Sequence, residues 1–195
     1  KLIDVFTQIV NIHMSKRDEA TALAKCDRQM ELLKDSNIHL AIIHNMKGQI
    51  YRSQKDNDKA ESEFNAAIDV YPDYLQPYYG LAKLYLGRDE MDKAIEQYNQ
   101  IIAKNPQQVR PHMLLGMLFD AKGDTENSER HYREAIKLNP NFAPAANNLA
   151  YILAEKGEDL NTALDLARIA KEKLPNDPGV MDTIGWGYYK KGLYD

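Results

Sequence analysis

The fold is decided by residues 76–106, which read QPYYGLAKLYLGRDEMDKAIEQYNQIIAKNP. Apolar side chains in its first part, including Leu81 and Tyr85, lie three or four residues apart and therefore share one face of a helix. A second series with this spacing begins after residues 87–89 and ends before Pro106. Proline cannot extend a helix and disfavours helical geometry in the residue before it. The stretch therefore predicts two helices joined by a tight turn and closed by a second break.

The same pattern recurs along the chain with a fixed period. Equivalent positions lie 34 residues apart, or 35 at the last step of each series. A constant period in the range of about 20–50 residues indicates a stacked repeat architecture. Four series show it: Pro72, Pro106, Pro140 and Pro175; Gly48, Ala82, Gly116, Ala150 and Gly185; Tyr51, Tyr85, Phe119, Leu153 and Tyr188; and Ala60, Ala94, Ser128 and Ala163.

These repeats resemble the tetratricopeptide pattern of Leu-Gly-x-x-Tyr, Ala-x-x-x-Phe and a closing proline. Lys47 stands where the pattern has leucine, and the resemblance extends over residues 41–195. It implies an all-α, right-handed superhelical solenoid of antiparallel helix hairpins. The residues that match the pattern in the first repeat are Gly48, Tyr51, Ala60, Phe64, Ala67 and Pro72.

Counting in steps of 34 residues divides the chain into six segments. The N-terminal segment is expected to form helices over 2–14 and 18–34, with the second helix longer than the first. The last segment holds one helix, whose apolar face a following helix should cover. We predict an atypical helical pair at 1–40, repeats at 41–74, 75–108 and 109–142, a repeat with a one-residue insertion at 143–177, and the first helix of a further repeat at 178–195.

Composition excludes several functional classes. The net charge is −4 and no block of basic residues stands out, so we expect no nucleic-acid partner. No apolar run approaches the roughly 18 residues of a membrane span, so we expect no insertion of this segment into a membrane. The single cysteine, Cys26, excludes an intrachain disulfide and leaves the cellular compartment open. The chain begins at Lys1 rather than at methionine, which suggests a piece of a longer protein.

The last quarter of the chain carries a narrower resemblance. Residues 147–150 read NNLA and residues 182–189 read DTIGWGYY. This stretch is similar to bacterial tetratricopeptide proteins associated with exopolysaccharide export and cell-surface assembly. The similarity implies a bacterial protein, in the cytoplasm, in the periplasm or associated with a membrane.

The tetratricopeptide resemblance implies that the first helix of each repeat lines a concave wall that binds a protein or peptide. Side chains on this wall are found by counting outward from each packing glycine or alanine. They combine rigid aromatic rings, adaptable methionines and amides that can hydrogen-bond to a peptide backbone. The predicted peptide-binding residues are Asn45, Gln49, Arg52, Gln76, Tyr79, Lys83, Arg110, Met113, Met117, Asp120, Asn147, Tyr151, Glu155, Asp182, Trp186 and Tyr189.

Catalytic and cofactor chemistry finds no support in the sequence. The glycines are explained by helix crossings and turns rather than by a phosphate-binding loop. His39 and His44 are five residues apart, which is not the spacing that places two metal ligands on one helix face. We therefore predict no enzyme, no cofactor and no metal. Chaperone-binding members of the family grip a carboxylate with Lys, Asn and Arg, and the corresponding positions here keep only Arg110 charged.

The leading hypothesis is a non-catalytic scaffold for protein–protein interaction, with a protein or peptide segment on the concave face. Two alternatives stay open. The open ends of the repeat array could join copies of the chain into homo-oligomers. The array could also be the interaction module of a larger bacterial export or assembly protein.

Overall fold

The computed structural model of the chain describes residues 2–157 and 159–193, and at Leu2 the backbone alone. All regular structure in these residues is α-helical, which confirms the all-α fold class. The helices are α1 (Leu2–Ser15), α2 (Glu19–Leu32), α3 (Asn37–Ser53), α4 (Asn57–Val70), α5 (Gln76–Leu86), α6 (Met91–Lys104), α7 (Val109–Ala121), α8 (Thr125–Leu138), α9 (Ala143–Lys156), α10 (Leu160–Lys173) and α11 (Pro178–Lys190).

The chain divides into two compact units, Lys1–Lys104 and Asn105–Asp195, here called the N-terminal and C-terminal units. In the N-terminal unit α3 packs on α4 and α5 packs on α6, while α2 packs on α3. Helices α1 and α2 have 14 residues each, so the expectation of a longer second helix is wrong. Helix α3 begins at Asn37, before residue 41, where the first repeat was expected to start.

Close helix crossings in the N-terminal unit depend on small residues, as the repeat pattern predicts. Phe64 of α4 is fully buried and faces two glycines. A Cβ atom added at Gly48 of α3 or at Gly80 of α5 would lie 2.6 Å from Cε1 of Phe64. This separation is far below van der Waals contact, so one phenyl ring occupies the space that both missing side chains leave.

The C-terminal unit repeats this packing with a change of residues. In the α7–α8 hairpin, a Cβ atom at Gly116 would lie 2.5 Å from Cε1 of Tyr132. In the α9–α10 hairpin, where Ala167 replaces the aromatic residue, the core is built largely from buried alanines of both helices. Helix α11 packs against α9 and α10, and Gly187 contacts Leu164 there.

Several apolar side chains on and just after α11 are exposed. Met181 and Tyr188 are at least one-third exposed, as is Leu193 beyond the helix end. A Cβ atom added at Gly185, which belongs to the packing series, would meet no other side chain or helix within 4 Å. Its series mate Ala150 is buried in the α9–α10 hairpin. Gly185 therefore does not lie at a close helix crossing among the described residues.

The turns inside the hairpins share a left-handed residue at a constant position. Positive φ angles occur at Lys55, Asp89, Gly123 and Gly157, each 34 residues after the last. Gly87, two residues before Asp89, has φ −68° and is the C-cap of α5. Asp89 takes the left-handed conformation instead. The inserted turn before α10 has a second left-handed residue at position 159, and residue 158 lies outside the described part of the chain.

Aspartate side chains begin many of the helices. Asp56 and Asp124 each accept a hydrogen bond from the backbone N–H three residues later, at the starts of α4 and α8. Asp159 and Asp177 do the same for α10 and α11. Such caps satisfy backbone donors that have no partner within the helix. None of the helices described is both long and apolar enough to cross a lipid bilayer.

Candidate functional site

A groove of about 450 Å³ runs between α9 and α11 in the C-terminal unit. Each helix contributes side chains spaced three, four or seven residues apart, so each presents one face to the groove. Asp120, near the end of α7, adds to the lining. The volume falls within the range of about 300–1,000 Å³ that is common for ligand pockets. The groove is lined by Asp120, Asn147, Asn148, Tyr151, Ile152, Glu155, Gly179, Asp182, Thr183 and Trp186.

The α9 wall is fixed from behind by the preceding hairpin. Asn148 Nδ2 donates a hydrogen bond to the Tyr132 hydroxyl oxygen at 3.0 Å. Burial raises the pKa of Tyr132, although hydrogen bonds with Asn148 and Ser128 oppose the rise, so its hydroxyl is neutral near pH 7. Ile152 is buried in the core of the unit. Asn148 and Ile152 therefore support the wall, and Tyr151, which is 49% exposed, projects from it.

The α11 wall has a fixed aromatic ring. Trp186 stacks on Tyr189, with ring centroids 5.2 Å apart and planes inclined by 16°. The Lys190 ammonium lies over the Trp186 ring, 4.8 Å from its centroid. The hydroxyl of Thr183 donates to the carbonyl of Gly179 at 2.9 Å and so is satisfied within the helix. The indole therefore packs between Tyr189 and Lys190 beside the groove.

Two buried polar atoms of the groove lining have no hydrogen-bond partner among the described residues. They are Oδ1 of Asn147, an acceptor, and Nε1 of Trp186, a donor. Leaving a buried polar group without a partner costs about 1–3 kcal/mol, and such groups are rare in native structures. The two residues that carry these atoms, Asn147 of α9 and Trp186 of α11, both line the groove.

Three carboxylates also line the groove: Asp120, Glu155 and Asp182. No ion pair within residues 2–157 and 159–193 involves any of them. Glu129, a neighbouring acid outside the groove, is by contrast bound by Arg133 and Lys156. The hydrogen bond from Lys156, partly opposed by burial, lowers the pKa of Glu129.

Six of the sixteen predicted peptide-binding residues line this groove: Asp120, Asn147, Tyr151, Glu155, Asp182 and Trp186. Three others in the C-terminal unit, Arg110, Met117 and Tyr189, are exposed but do not line it. Met113 is only 9% exposed and belongs to the hydrophobic core, because α7 turns this residue toward the interior of the unit.

The remaining predicted residues lie in the N-terminal unit. Gln49, Arg52, Gln76 and Lys83 are exposed, and Tyr79 is partly buried with its ring 6.1 Å from that of Tyr98. Asn45 is only 3% exposed, so its side chain does not face solvent as expected. Counting outward from the packing glycine predicts Asn45 on the concave wall, but this side chain is covered in the folded unit.

Four groove residues were not predicted: Asn148, Ile152, Gly179 and Thr183. Asn148 and Ile152 each follow a predicted residue of α9 by one position, and Thr183 does so on α11. The groove lies between two helices, and its lining therefore includes the flanks that lead toward the packing face. A count made on one helix at a time misses these flanks.

The rest of the described chain offers little reactive chemistry. No group of three or more His, Cys, Asp and Glu side chains there is arranged to hold a metal ion. Cys26 is fully buried, and burial raises the pKa of its thiol to about 12. A thiol of this kind is not a nucleophile at neutral pH.

Three family models described as tetratricopeptide repeat match the chain. They cover residues 51–118, 109–142 and 131–165. Together the matches span residues 51–165, which is more than half of the chain. A search among curated proteins found no significant match.

Solved structures with the same fold include three informative neighbours. YrrB, described as a TPR protein with an unusual peptide-binding site, has a TM-score of 0.68 and 18% identity over 87% of this chain and 85% of its own. The MamA protein has a TM-score of 0.67 and 21% identity over 79% and 84%. A tetratricopeptide protein from Parabacteroides merdae has a TM-score of 0.72 and 16% identity over 98% and 74%. At these identities the likeness shows the fold alone.

Proposed function

Because the chain belongs to the tetratricopeptide-repeat family, we propose that it is a non-catalytic scaffold for protein–protein interaction that binds an extended segment of another protein. The proposed binding site is the groove between α9 and α11. Met117, an exposed member of the predicted set outside the groove, can extend the contact. Sequence similarity to export and cell-surface assembly proteins in the last quarter makes such an assembly a candidate setting.

The observation that carries this proposal is the pair of unpartnered buried atoms, Asn147 Oδ1 and Trp186 Nε1. An extended backbone offers an N–H donor and a C=O acceptor at every residue. A peptide in the groove can give its N–H to Asn147 and accept from Trp186 after small rotations of the two side chains. Binding would then remove two unsatisfied groups at once, which favours a ligand that has both functions.

The shape and chemistry of the groove agree with a peptide ligand. Tyr151 and Trp186 provide rigid amphipathic surface. Tyrosine and tryptophan are enriched at the hot spots of protein interfaces. YrrB, which has the same fold, is described as having a peptide-binding site, and this supports the same class of ligand here. The buried Cys26 and the lack of a metal cluster among the described residues give no support to a catalytic alternative.

Selection from a displayed library of random 12-residue peptides tests the proposal. Selected peptides should lose about tenfold in affinity for Trp186→Phe, because this variant keeps an aromatic ring and removes the one donor, worth about 1–1.5 kcal/mol. Asn147→Leu should cause a similar loss. Asn99→Ala with Gln100→Ala, both exposed on α6 and outside the predicted set, is the matched control and should change nothing. A library that yields no binder, or binders indifferent to Trp186 and Asn147, would contradict the proposal.

Self-association is a second candidate, favoured by the exposed apolar face of α11. Met181 and Tyr188 occupy positions that correspond, 35 residues earlier, to Ala146 and Leu153, which are buried in the α9–α10 hairpin. Such a face is suited to packing against a helix of a second copy of the chain. Light scattering should then show a dimer at micromolar concentration that Tyr188→Glu with Met181→Glu dissociates. A monomer up to about 100 μM, where even weak dimers of this class form, would exclude this candidate.

A further inference from the structure

We propose that the groove between α9 and α11 selects peptide segments that present a basic side chain, arginine above lysine. This inference rests on the proposed peptide-binding function and adds the chemical class of the partner. Its basis is the local balance of charge. Three carboxylates, Asp120, Glu155 and Asp182, line one groove, and no lysine or arginine lines it.

The acids of the groove differ from other acids of the same unit in having no counter-ion. Glu129 is bound by Arg133 at 2.7 Å and by Lys156 at 2.5 Å, and Asp165 is bound by Arg168 at 2.9 Å. No corresponding pair within the described residues involves the three groove acids. Carboxylates that share a concave surface reinforce each other's potential, since low-dielectric walls focus the field. The groove therefore attracts a cation and repels an acidic segment.

Two lysines beside the groove are engaged in other contacts, and one of them, Lys156, lines an adjoining pocket that also includes Asp120 and Glu155. Lys190 lies over the Trp186 ring and donates to the backbone carbonyl of Glu155 at 3.4 Å. This bond uses the carbonyl of Glu155 and leaves its carboxylate free of an ion pair. Lys156 is held by Glu129. The lining residues of the groove carry a negative formal charge. Lys190, which lies beside the groove, offsets only part of that charge.

The aromatic lining favours arginine within the basic class. Tyr151 is half-exposed and lies four residues, about one helical turn, from both Asn147 and Glu155 on the same helix face. A planar guanidinium can stack on the phenol ring while it donates hydrogen bonds to a neighbouring carboxylate. A lysine ammonium has no plane to stack, although its methylene stem can cover the ring. The expected ligand therefore holds its backbone on Asn147 and Trp186 and its guanidinium near Tyr151 and the carboxylates.

The chain's single tryptophan, Trp186, reports on the groove directly. Three nine-residue peptides of sequence Ala-Ser-Ala-Ser-Xaa-Ser-Ala-Ser-Ala, blocked at both ends, differ only in a central Arg, norleucine or Glu. Titration is followed by Trp186 fluorescence and by the NMR signal of its indole N–H. The Arg peptide should bind about tenfold more tightly than the norleucine peptide, and the Glu peptide more weakly than both. Raising the salt from 50 to 500 mM should reduce the difference severalfold, because screening weakens exposed charge pairs.

Charge-neutral variants locate the effect. Glu155→Gln with Asp182→Asn should lower the affinity for the Arg peptide about tenfold and leave the norleucine peptide unchanged. Glu172→Gln, an exposed acid of α10 outside the groove, is the matched control and should leave both affinities unchanged.

The outcomes separate this inference from the function on which it rests. If the norleucine or Glu peptide binds as tightly as the Arg peptide, the charge selectivity is wrong and peptide binding stands. Arg binding that is unaffected by the groove variants would likewise overturn the selectivity. If none of the peptides perturbs Trp186, both the selectivity and the groove fail.

Discussion

Two sets of acidic side chains, one in each unit, have opposite roles. In the N-terminal unit, Glu63 of α4 is bound by His44 at 2.6 Å and by Lys47 at 2.8 Å. Lys47 also contacts Asp27 of α2 at 3.0 Å, so the network ties three helices together. In the C-terminal unit, Glu155 and Asp182 line a groove and form no ion pair with a described residue.

The pKa values of the N-terminal acids reflect this pairing. Burial by itself would raise the pKa of Glu63, but hydrogen bonds from His44 and Lys47 outweigh it and lower the pKa. Glu61 behaves alike, because Tyr85 and Arg88 donate hydrogen bonds to its two carboxylate oxygens at 2.9 and 2.6 Å. Paired acids of this kind stabilise the fold, whereas unpaired acids in a groove are available to a ligand.

The largest effect is expected from Glu63→Ala. The substitution leaves Lys47, whose side chain is only 13% exposed, with one partner fewer. Breaking a buried pair costs about 3–5 kcal/mol, and partial exposure reduces this to about 3 kcal/mol here. Chemical denaturation of the full chain measures the loss. In the C-terminal unit, Glu155→Gln should change the free energy of unfolding by less than about 0.5 kcal/mol.

The contrast between the units depends on this pair of measurements. Equal losses for Glu63→Ala and Glu155→Gln would show that the groove acids are structural after all. Glu63→Gln is a second control, because its amide can keep one hydrogen bond to Lys47 or His44 and should recover part of the loss.

Much of the fold is predictable from the sequence because its cause is local. Gly48 and Gly116 recur at a fixed period since a large ring must fit beside each helix crossing. Lys47 could be identified as a departure from the family pattern, but its role could not. Its partners Asp27 and Glu63 lie 20 and 16 residues away on other helices, and no periodic signal joins them.

The candidate site is less predictable, for a geometric reason. Period counting places residues on a face of one helix, and six of the sixteen assigned this way line the groove. It cannot tell which faces a neighbouring helix covers, so Asn45 and Met113 were assigned to solvent although they are buried. Whether a buried atom such as Trp186 Nε1 has a hydrogen-bond partner depends on all the residues around it in the folded chain, so the sequence does not predict it.

A second prediction concerns histidine, which is paired with an acid in one unit and with another histidine in the other. His131 of the C-terminal unit is buried, with its Nδ1 3.1 Å from Nδ1 of His112 and its ring stacked on Phe119. Burial lowers the pKa of His131 to about 4, and the charges of His112 and Arg130 add to this while Glu134 opposes it. The unfolded chain therefore takes up a proton between about pH 6.5 and 4 that the folded chain does not.

Stability should accordingly fall by about 2–3 kcal/mol as the pH drops through that window, and should be fully present above it. Denaturation at pH 7, 6 and 5 measures the slope. His131→Phe keeps the stack on Phe119 and removes one of two titrating groups, so its slope should be flatter. Burial also lowers the pKa of His112, which accounts for the slope that remains. An identical slope in both proteins would place the acid sensitivity elsewhere. The pKa of a paired carboxylate such as Glu63 is lowered from its ordinary value near 4.5. The stability that its pairing provides is therefore lost only as the pH falls below that value.

A third prediction extends the comparison to the hairpin turns. Gly123 in the C-terminal unit has φ +73°, and a Cβ atom placed there would meet nothing within 4 Å. Gly123→Ala therefore isolates the backbone strain from any steric clash. We expect a loss of about 1 kcal/mol, since the left-handed region costs a residue with a side chain about that much. Thermal or chemical denaturation measures it, and Gly185→Ala, which also has open space but lies in a helix, should instead stabilise by up to about 1 kcal/mol.

The smallest effect is expected at the equivalent turn of the N-terminal unit. Lys55 has φ +63° and lies two 34-residue steps before Gly123. Lys55→Gly should stabilise the chain by about 0.5 kcal/mol, because the relief of left-handed strain exceeds the greater entropy of glycine in the unfolded state by only a small margin. Lys55→Ala, which keeps a Cβ atom and removes the charge, is the control and should show no gain. If Lys55→Ala raises the free energy of unfolding as much as Lys55→Gly does, the gain comes from removing the charge and not from relief of backbone strain. The turns of the two units would then differ in more than the residue at the left-handed position.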